Sequence, residues 1–380
     1  MKTITALLLA AFVASAAFVA SAAFVASAAE VRLERVPEDG VQPQIVTTSD
    51  GTRHLVYLKG DPRGCNVRHA IKKPGAAEWS TPRTVNSTPD SAVAAGTIRG
   101  AQIAVGKDDS LHIVWNGIGD HKRHIPSPLY YTRSLGSGGF EPQRDLRADT
   151  QALDGGASVA ASAKGEVFVV WHGAQAGSQP GEINRRVYVL KSTDNGQTFA
   201  APKIANADDP GVCACCSLKT FVAPTGELLT LYRAARTMSQ RDIVLMTSRD
   251  GGESFQHRDV GPWAINACPM SSASVISAGT KTRAAWEAEG KVFTSLLDAT
   301  SDALAVSNDK ARHPSLAINS KGETLVSWSI GTGWQKGGQL GWLVLDASGR
   351  PTATHGTQPG VPVWGFTATY ADGENFVILY

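Results

Sequence analysis

The chain is short of most features that would announce a partner. Its 36 Lys and Arg stand against 34 Asp and Glu, leaving a formal charge of +2, and no block of one sign interrupts it. Nucleic acid and anionic membrane surfaces are therefore not the partners that charge would select. Beyond the first 28 residues there is no further apolar run long enough to span a bilayer. No low-complexity linker divides the remainder, so residues 29–380 read as one domain. Cysteine is scarce and odd in number, 5, so internal disulfides cannot consume every thiol. Glycine (38) and proline (19) are abundant between short β-rich runs, the composition of a turn-dense all-β chain with minimal helix.

Residues 1–28 stand apart. Met1-Lys2 leads into an Ala-rich apolar run from Ile4 to Ala29, in which Phe-Val-Ala-Ser-Ala-Ala occurs three times in tandem, at 12–17, 18–23 and 24–29. The run ends in small residues and reads as a secretory signal peptide cleaved after Ala28, with an uncleaved anchor as the alternative. Cleavage would leave a secreted or periplasmic monomer with no stable membrane insertion.

A repeat organises the rest. An apolar strand, a Gly-containing turn and a second strand ending in an aromatic recur at Gln44 to Tyr57, Gln102 to Trp115, Ser158 to Trp171, Lys219 to Tyr232, Ser274 to Trp286 and Ser315 to Trp328. A seventh copy, Phe366 to Tyr380, closes the chain. A period near 50 residues in an all-β chain indicates a β-propeller of four-stranded blades. The repeat count gives seven blades, the last completed by a strand from Val31–Val36.

Two of the looser second hairpins carry a recognisable turn. Ser192-Thr193-Asp194-Asn195-Gly196-Gln197-Thr198-Phe199 and Ser248-Arg249-Asp250-Gly251-Gly252-Glu253-Ser254-Phe255 match the Asp-box pattern S-x-D-x-G-x-T-F, the second with Ser for Thr. In such a turn Asp accepts backbone hydrogen bonds, Gly supplies a positive φ, and the aromatic packs between sheets. The chain thus resembles the sialidase-like propellers built of bacterial neuraminidase repeats. That resemblance implies the fold over most of the chain, and it offers six blades as the alternative count. Activity does not follow from it, because the turns lie away from the ligand face.

The repeat phase sorts loops by face. Opposite the Asp boxes lie the segments leading into the inner strands: Ile98-Arg99-Gly100, Leu153-Asp154-Gly155, Cys213–Ser217, Asn266–Met270 and Arg312-His313-Pro314. The turns after the aromatic-ended strands join them. The resemblance implies an arginine cluster for a substrate carboxylate, an acid/base carboxylate and a Tyr nucleophile. Arg99, Arg233 and Arg312, with Asp154, Glu287 and Glu289, are the candidates on this face; Arg236 and Asp120 lie there too. The diagnostic R-I-P run is absent, its position being taken by Val41-Gln42-Pro43-Gln44, and no Tyr nucleophile can be assigned.

All five cysteines also map to this face, none of them to a sheet core. Cys213-Ala214-Cys215-Cys216 is followed, one blade on, by Cys268-Pro269-Met270. One reading pairs a cysteine of the first group with Cys268 and another with Cys65, leaving a spare thiol. A second makes Cys213, Cys215, Cys216, Cys268 and Met270 a soft-metal site for copper or zinc, with His313 or His172 assisting. A third is cysteine redox chemistry. The sequence therefore presents an exported propeller that acts on or binds glycans, as a glycoside hydrolase of sialidase-like type or without hydrolysis. Its rival is a metal- or thiol-dependent binding protein.

Overall fold

The second strand of each repeat copy is buried on both faces. All six residues of Leu111–Asn116 and of Leu228–Arg233 are buried, which requires a sheet on either side. A ring of blades supplies both. The computed structural model describes residues 29–96, 100–119, 127–147, 150–151, 153–298, 301–308 and 310–380, and these form seven radial sheets.

Blade 1 runs outward through Val41–Thr47, Arg53–Asp61, Gly64–Lys72 and Arg83–Thr84, and blade 2 through Gln102–Val105, Leu111–Asn116, Leu129–Leu135 and Arg144–Asp145. Blade 3 comprises Ser158–Ala161, Val167–Gln175, Arg185–Ser192 and Lys203–Ile204, and blade 4 Lys219–Val222, Leu228–Arg233, Ile243–Ser248 and Gln256–Gly261. Blade 5 follows with Ala273–Ala278, Lys281–Ala288, Lys291–Leu296 and Leu304–Ala305, and blade 6 with Ala311–Ile318, Thr324–Ile330, Gly338–Leu345 and Pro351–Val361. Helix is confined, among the described residues, to three short 3-10 turns, and none is long and apolar enough to cross a membrane.

Blade 7 settles the count at seven. The C-terminal hairpin, Ala368–Asp372 with Asn375–Leu379, accepts Val31–Glu34 as a parallel third strand, from Val31 opposite Phe376 to Glu34 opposite Leu379. The N-terminal strand therefore completes the last blade as expected, although that blade has three strands and not four. The seventh inner strand begins at Ala368, two residues later than Phe366, because Ala368 pairs with Leu379.

Large aromatics fill the seams between blades. Trp115, Trp171 and Trp286 are at most 2% exposed. Gly261 makes room for one of them, since a Cβ there would lie 2.4 Å from Trp286 Nε1. In the turn after Ser192, Asp194 accepts the Ser192 hydroxyl at 2.7 Å, the Thr198 amide at 2.9 Å and the Thr198 hydroxyl at 2.6 Å. Those donors, the Thr198 hydroxyl foremost, hold its carboxyl well below the usual range. Phe199 meets Tyr131 of blade 2 edge-on at 5.0 Å. Asp250 is held in the same way by Ser254 and Ser248.

The inner strands surround a common axis and line a tunnel of about 650 Å³. One expectation fails here: Cys65 is not a loop residue. The hairpin of blade 1 extends to Asp61 and Gly64, so Cys65 sits in the ladder opposite Gly60 and in the apolar cluster shared with blade 2. Its thiol donates to the Ala92 carbonyl at 3.3 Å and, pushed up by burial to about 12, stays protonated. It bonds to no other cysteine.

Closure by blade 7 can be tested at Ile378, fully buried against Leu325, Leu340 and Phe376. Ile378→Ala should cost about 2–5 kcal/mol in urea unfolding. Ile204→Ala, at a site 42% exposed, should leave the midpoint unchanged. Equal midpoints for the two variants would contradict a load on the closing strand.

Candidate functional site

The segment before the inner strand of blade 4 is fixed at every turn. Cys213 donates its amide to the Arg233 carbonyl at 3.0 Å, Ala214 to Glu182 Oε1 at 2.6 Å, and Ser217 to the Ser271 carbonyl at 3.0 Å. The Cys216 carbonyl accepts from His172 Nε2 at 2.7 Å, while His172 Nδ1 accepts from Arg185 Nη2 at 3.0 Å. Because Arg185 only donates, the proton of His172 is on Nε2 and the ring is neutral; burial and the charge of Arg185 pull it down to about 3. His172 thus orients the cysteine loop with both nitrogens engaged, which removes it from the metal ligands. Gly155 permits the close approach, since a Cβ there would lie 2.1 Å from the Cys216 oxygen.

Four of the five cysteines meet in this loop. Cys215 is disulfide-bonded to Cys268, joining the segments before the inner strands of blades 4 and 5. Cys213 Sγ lies 3.6 Å from Cys215 Sγ and 3.4 Å from Cys216 Sγ. Cys213 and Cys216 are buried thiols, whereas Cys268 is exposed. Burial alone would raise the Cys216 thiol. The hydrogen bond donated by Cys213, the charge of Arg233 and the Ser271 amide outweigh it and bring Cys216 below the ordinary thiol value. Cys213 moves far upward, held by that same hydrogen bond and by burial. Met270, at φ 51°, turns the chain between Cys268 and Ser271.

Beneath the sulfurs lies Arg233, 2% exposed, from the second strand of blade 4. Its guanidinium donates to the Arg241 carbonyl at 2.7 Å, the Ser271 hydroxyl at 2.9 Å and the Glu287 carbonyl at 2.6 Å, and lies 4.8 Å over the Trp263 ring. It serves protein oxygens in place of a ligand carboxylate. Arg236 is likewise committed to Asp209, Asp242 and Asp259. Glu287 is 2% exposed, and its Oε2 has no hydrogen-bond partner among the described residues. Burial raises it to about 7 against the pull of Arg312 and Arg233.

The remaining candidates are scattered. Glu289, at φ 53°, is exposed in the tight turn before Lys291. Arg312 and Asp154 are half-buried, and the Asp154 carbonyl accepts from Asn116 Nδ2 at 3.2 Å. Arg99 lies outside the described residues, as do Asp120, His121 and His124. His313 is buried, with Nδ1 3.1 Å from the Ser272 hydroxyl.

Three contributors escaped sequence reasoning. Ser271 links Arg233 to Cys216, and Glu182 clamps Ala214 while pairing with Arg241 at 2.7 Å. The third is Lys219. At its phase in the repeat the other blades place Gln44, Gln102, Ser158, Ser274, Ser315 and Ala368. One cation among neutral residues at the axis was the available signal. Lys219 Nζ donates to Gln102 Oε1 at 3.1 Å, reaching from blade 4 past blade 3 to blade 2. Burial, with no carboxylate opposing it, pulls its ammonium down to about 8. It lines a chamber of about 40 Å³ at the tunnel mouth with Gln44, Gln102, Ser274, His313 and Thr367.

No family model and no curated protein matches the chain in sequence. Among solved structures, a protein of unknown function from Dyadobacter fermentans is similar over 83% of this chain and 97% of its own, at 16% identity and a TM-score of 0.56. The alpha-L-arabinofuranosidase Arb93A of Fusarium graminearum is similar over 84% and 98%, at 14% identity and a TM-score of 0.53. Trypanosoma rangeli sialidase matches 79% of this chain at 13% identity and a TM-score of 0.53, and this chain spans 54% of it. What is shared is the fold, that of sialidases and related propeller enzymes.

The state of Glu287 has a measurable sign. The folded protein binds its proton more tightly than the unfolded chain, so stability falls as pH rises from the ordinary 4.5 to about 7. Glu287→Gln should abolish a loss on the order of 3 kcal/mol across that window, read from urea midpoints at pH 4.5 and 8. Parallel pH profiles for variant and wild type would mean that the carboxyl is solvated.

Proposed function

We propose that the protein is an exported, monomeric propeller that binds an acidic glycan by its carboxylate at the axial mouth. The observation that carries this reading is Lys219, a cation in a neutral polar chamber with no ion-pair partner among the described residues. A carboxylate would supply the missing counter-charge through a charge-assisted hydrogen bond. The chamber accommodates that group and not a sugar ring, which would rest outside, on the face where Trp334 stands 59% exposed against Trp364. The glycan class comes by analogy from the sialidase and the arabinofuranosidase of like fold. Arg99, Arg312, Asp154, Glu287 and Glu289 are the groups from which any hydrolysis would draw. Export is the reading supported by the apolar, Ala-rich run at 1–28 and by the disulfide, a bond of oxidising compartments.

The test is calorimetric binding of sialyl- and uronate-terminated oligosaccharides, with turnover followed in parallel. Lys219→Met should weaken acidic ligands about ten- to a hundredfold and leave neutral ones unaffected. Wild-type affinity should fall as pH rises past about 8, where Lys219 loses its proton. Equal binding by variant and wild type would overturn the assignment.

A second reading is favoured by one observation, the approach of the Cys213, Cys215 and Cys216 sulfurs to within 4.8 Å of one another. Once the Cys215–Cys268 bond is reduced, those thiolates, with Cys268 or Met270 completing the set, suit copper(I) or zinc. The reduced chain should then take up one copper(I) per molecule, the oxidised chain none, and Cys216→Ser should lose it. Metal uptake indifferent to reduction would exclude the site.

A further inference from the structure

We propose that Cys213, Cys215, Cys216 and Cys268 form a thiol–disulfide exchange site, in which an exposed bridge and a buried dithiol interconvert. The proposal does not rest on glycan binding or on a bound metal, although it uses the same sulfurs as the second reading. Its basis is order in space. The sulfurs run from the exposed Cys268, through its bonded partner Cys215, to Cys213 at 3.6 Å and then Cys216 at 3.4 Å. Each neighbour is one exchange step from the last.

Cys65 supplies the contrast that separates such a site from packing. It is also buried and unbonded, but apolar side chains surround it and its thiol gives a single hydrogen bond to a backbone carbonyl. Around Cys216 the structure places a thiol donor, the Ser271 amide at 3.5 Å and the Ser271 hydroxyl at 3.9 Å, which in turn accepts from Arg233 at 2.9 Å. These donors can take up the charge that a sulfur bears while its bond is being exchanged. The backbone is held by Glu182 on Ala214 and His172 on Cys216, which keeps the sulfurs in this order.

The first step moves the Cys213 proton along its hydrogen bond to the Cys216 sulfur. Cys213 then attacks Cys215 Sγ; the Cys213–Cys215 bond forms, the Cys215–Cys268 bond breaks, and the electron pair leaves on Cys268, which takes a proton at the surface. In the second step Cys216 attacks Cys213 Sγ as its proton passes to the departing Cys215 sulfur; the Cys213–Cys216 bond forms, the Cys213–Cys215 bond breaks and Cys215 leaves as a thiol. One disulfide is consumed and one made, so no external oxidant or reductant is needed. The product carries its bond within one loop and presents Cys268 as a surface thiol. That thiol can attack the disulfide of a client protein, releasing one client sulfur, and Cys215 then attacks Cys268 Sγ to release the other. The client gains two electrons and the chain closes both of its bonds.

The experiment uses the full mature chain with a chelator present, so that metal binding has no part in the result. Free thiols are alkylated under native conditions, and bonds are mapped by mass spectrometry with fragment ions that separate Cys215 from Cys216. Wild type should yield both Cys215–Cys268 and Cys213–Cys216 species, and Cys268 should be alkylated at least about tenfold faster than in Cys213→Ser, which locks the outer bridge. Cys216→Ser should halt at Cys213–Cys215. Thermal unfolding of each variant checks its fold, and Cys65→Ser serves as a control with wild-type exchange. Were wild type to hold only Cys215–Cys268, with Cys268 no more reactive than in Cys213→Ser, the exchange site would be disproved.

Discussion

The ring closes through a four-residue parallel ladder, and every other position in the molecule depends on that closure. Val31–Glu34 beside Asn375–Leu379 joins the two ends of the chain without a covalent bond. Once closed, the inner strands have a fixed radius and the second strands have a neighbour on both faces. This is why those strands can be apolar throughout, against the alternation expected of a sheet with one wet face. Loops on the face opposite the Asp boxes are then mounted on a frame that cannot splay, and side chains from blades 2 and 4 can meet at the axis.

Within that frame the unusual feature is how much charge has been taken inside. Arg233, Arg185 and Glu287 are all buried. Desolvating such groups is costly, and the structure recovers part of the cost by giving Arg233 three oxygens and an aromatic face. The return is a polar interior adjoining the cysteine loop, so Cys216 is tuned by fixed charge and fixed dipoles instead of by solvent. Glu287 Oε2 has no partner among the described residues, and burial raises that carboxyl to about 7.

Much of this was legible in the sequence and some was not, for local reasons. The repeat phase located all seven inner strands, the closing strand and the meeting of Cys213, Cys215, Cys216 and Cys268, because strand alternation is a short-range property. It misplaced Cys65, because the length of one hairpin decides whether a residue belongs to loop or ladder. Arg233 looked like a ligand anchor, since an arginine just past an aromatic resembles a surface position. Its actual partners include Glu287, 54 residues away, and no local pattern encodes them. Lys219 was visible as a lysine from the start, but its isolation from carboxylates is a property of seven strands taken together.

The Cys215–Cys268 bond spans 53 residues, and those residues contain the whole of blade 4. The blade is therefore a covalently closed loop within a ring that is otherwise sealed by hydrogen bonds. By chain entropy such a loop is worth about 4 kcal/mol, and the benefit is local. A protease cut anywhere in blade 4 would leave the polypeptide in one piece, whereas a cut in any other blade would divide it. The ring thus has one sector that tolerates nicking, and that sector carries Lys219, Arg233 and Cys216, with Cys213 just outside its boundary.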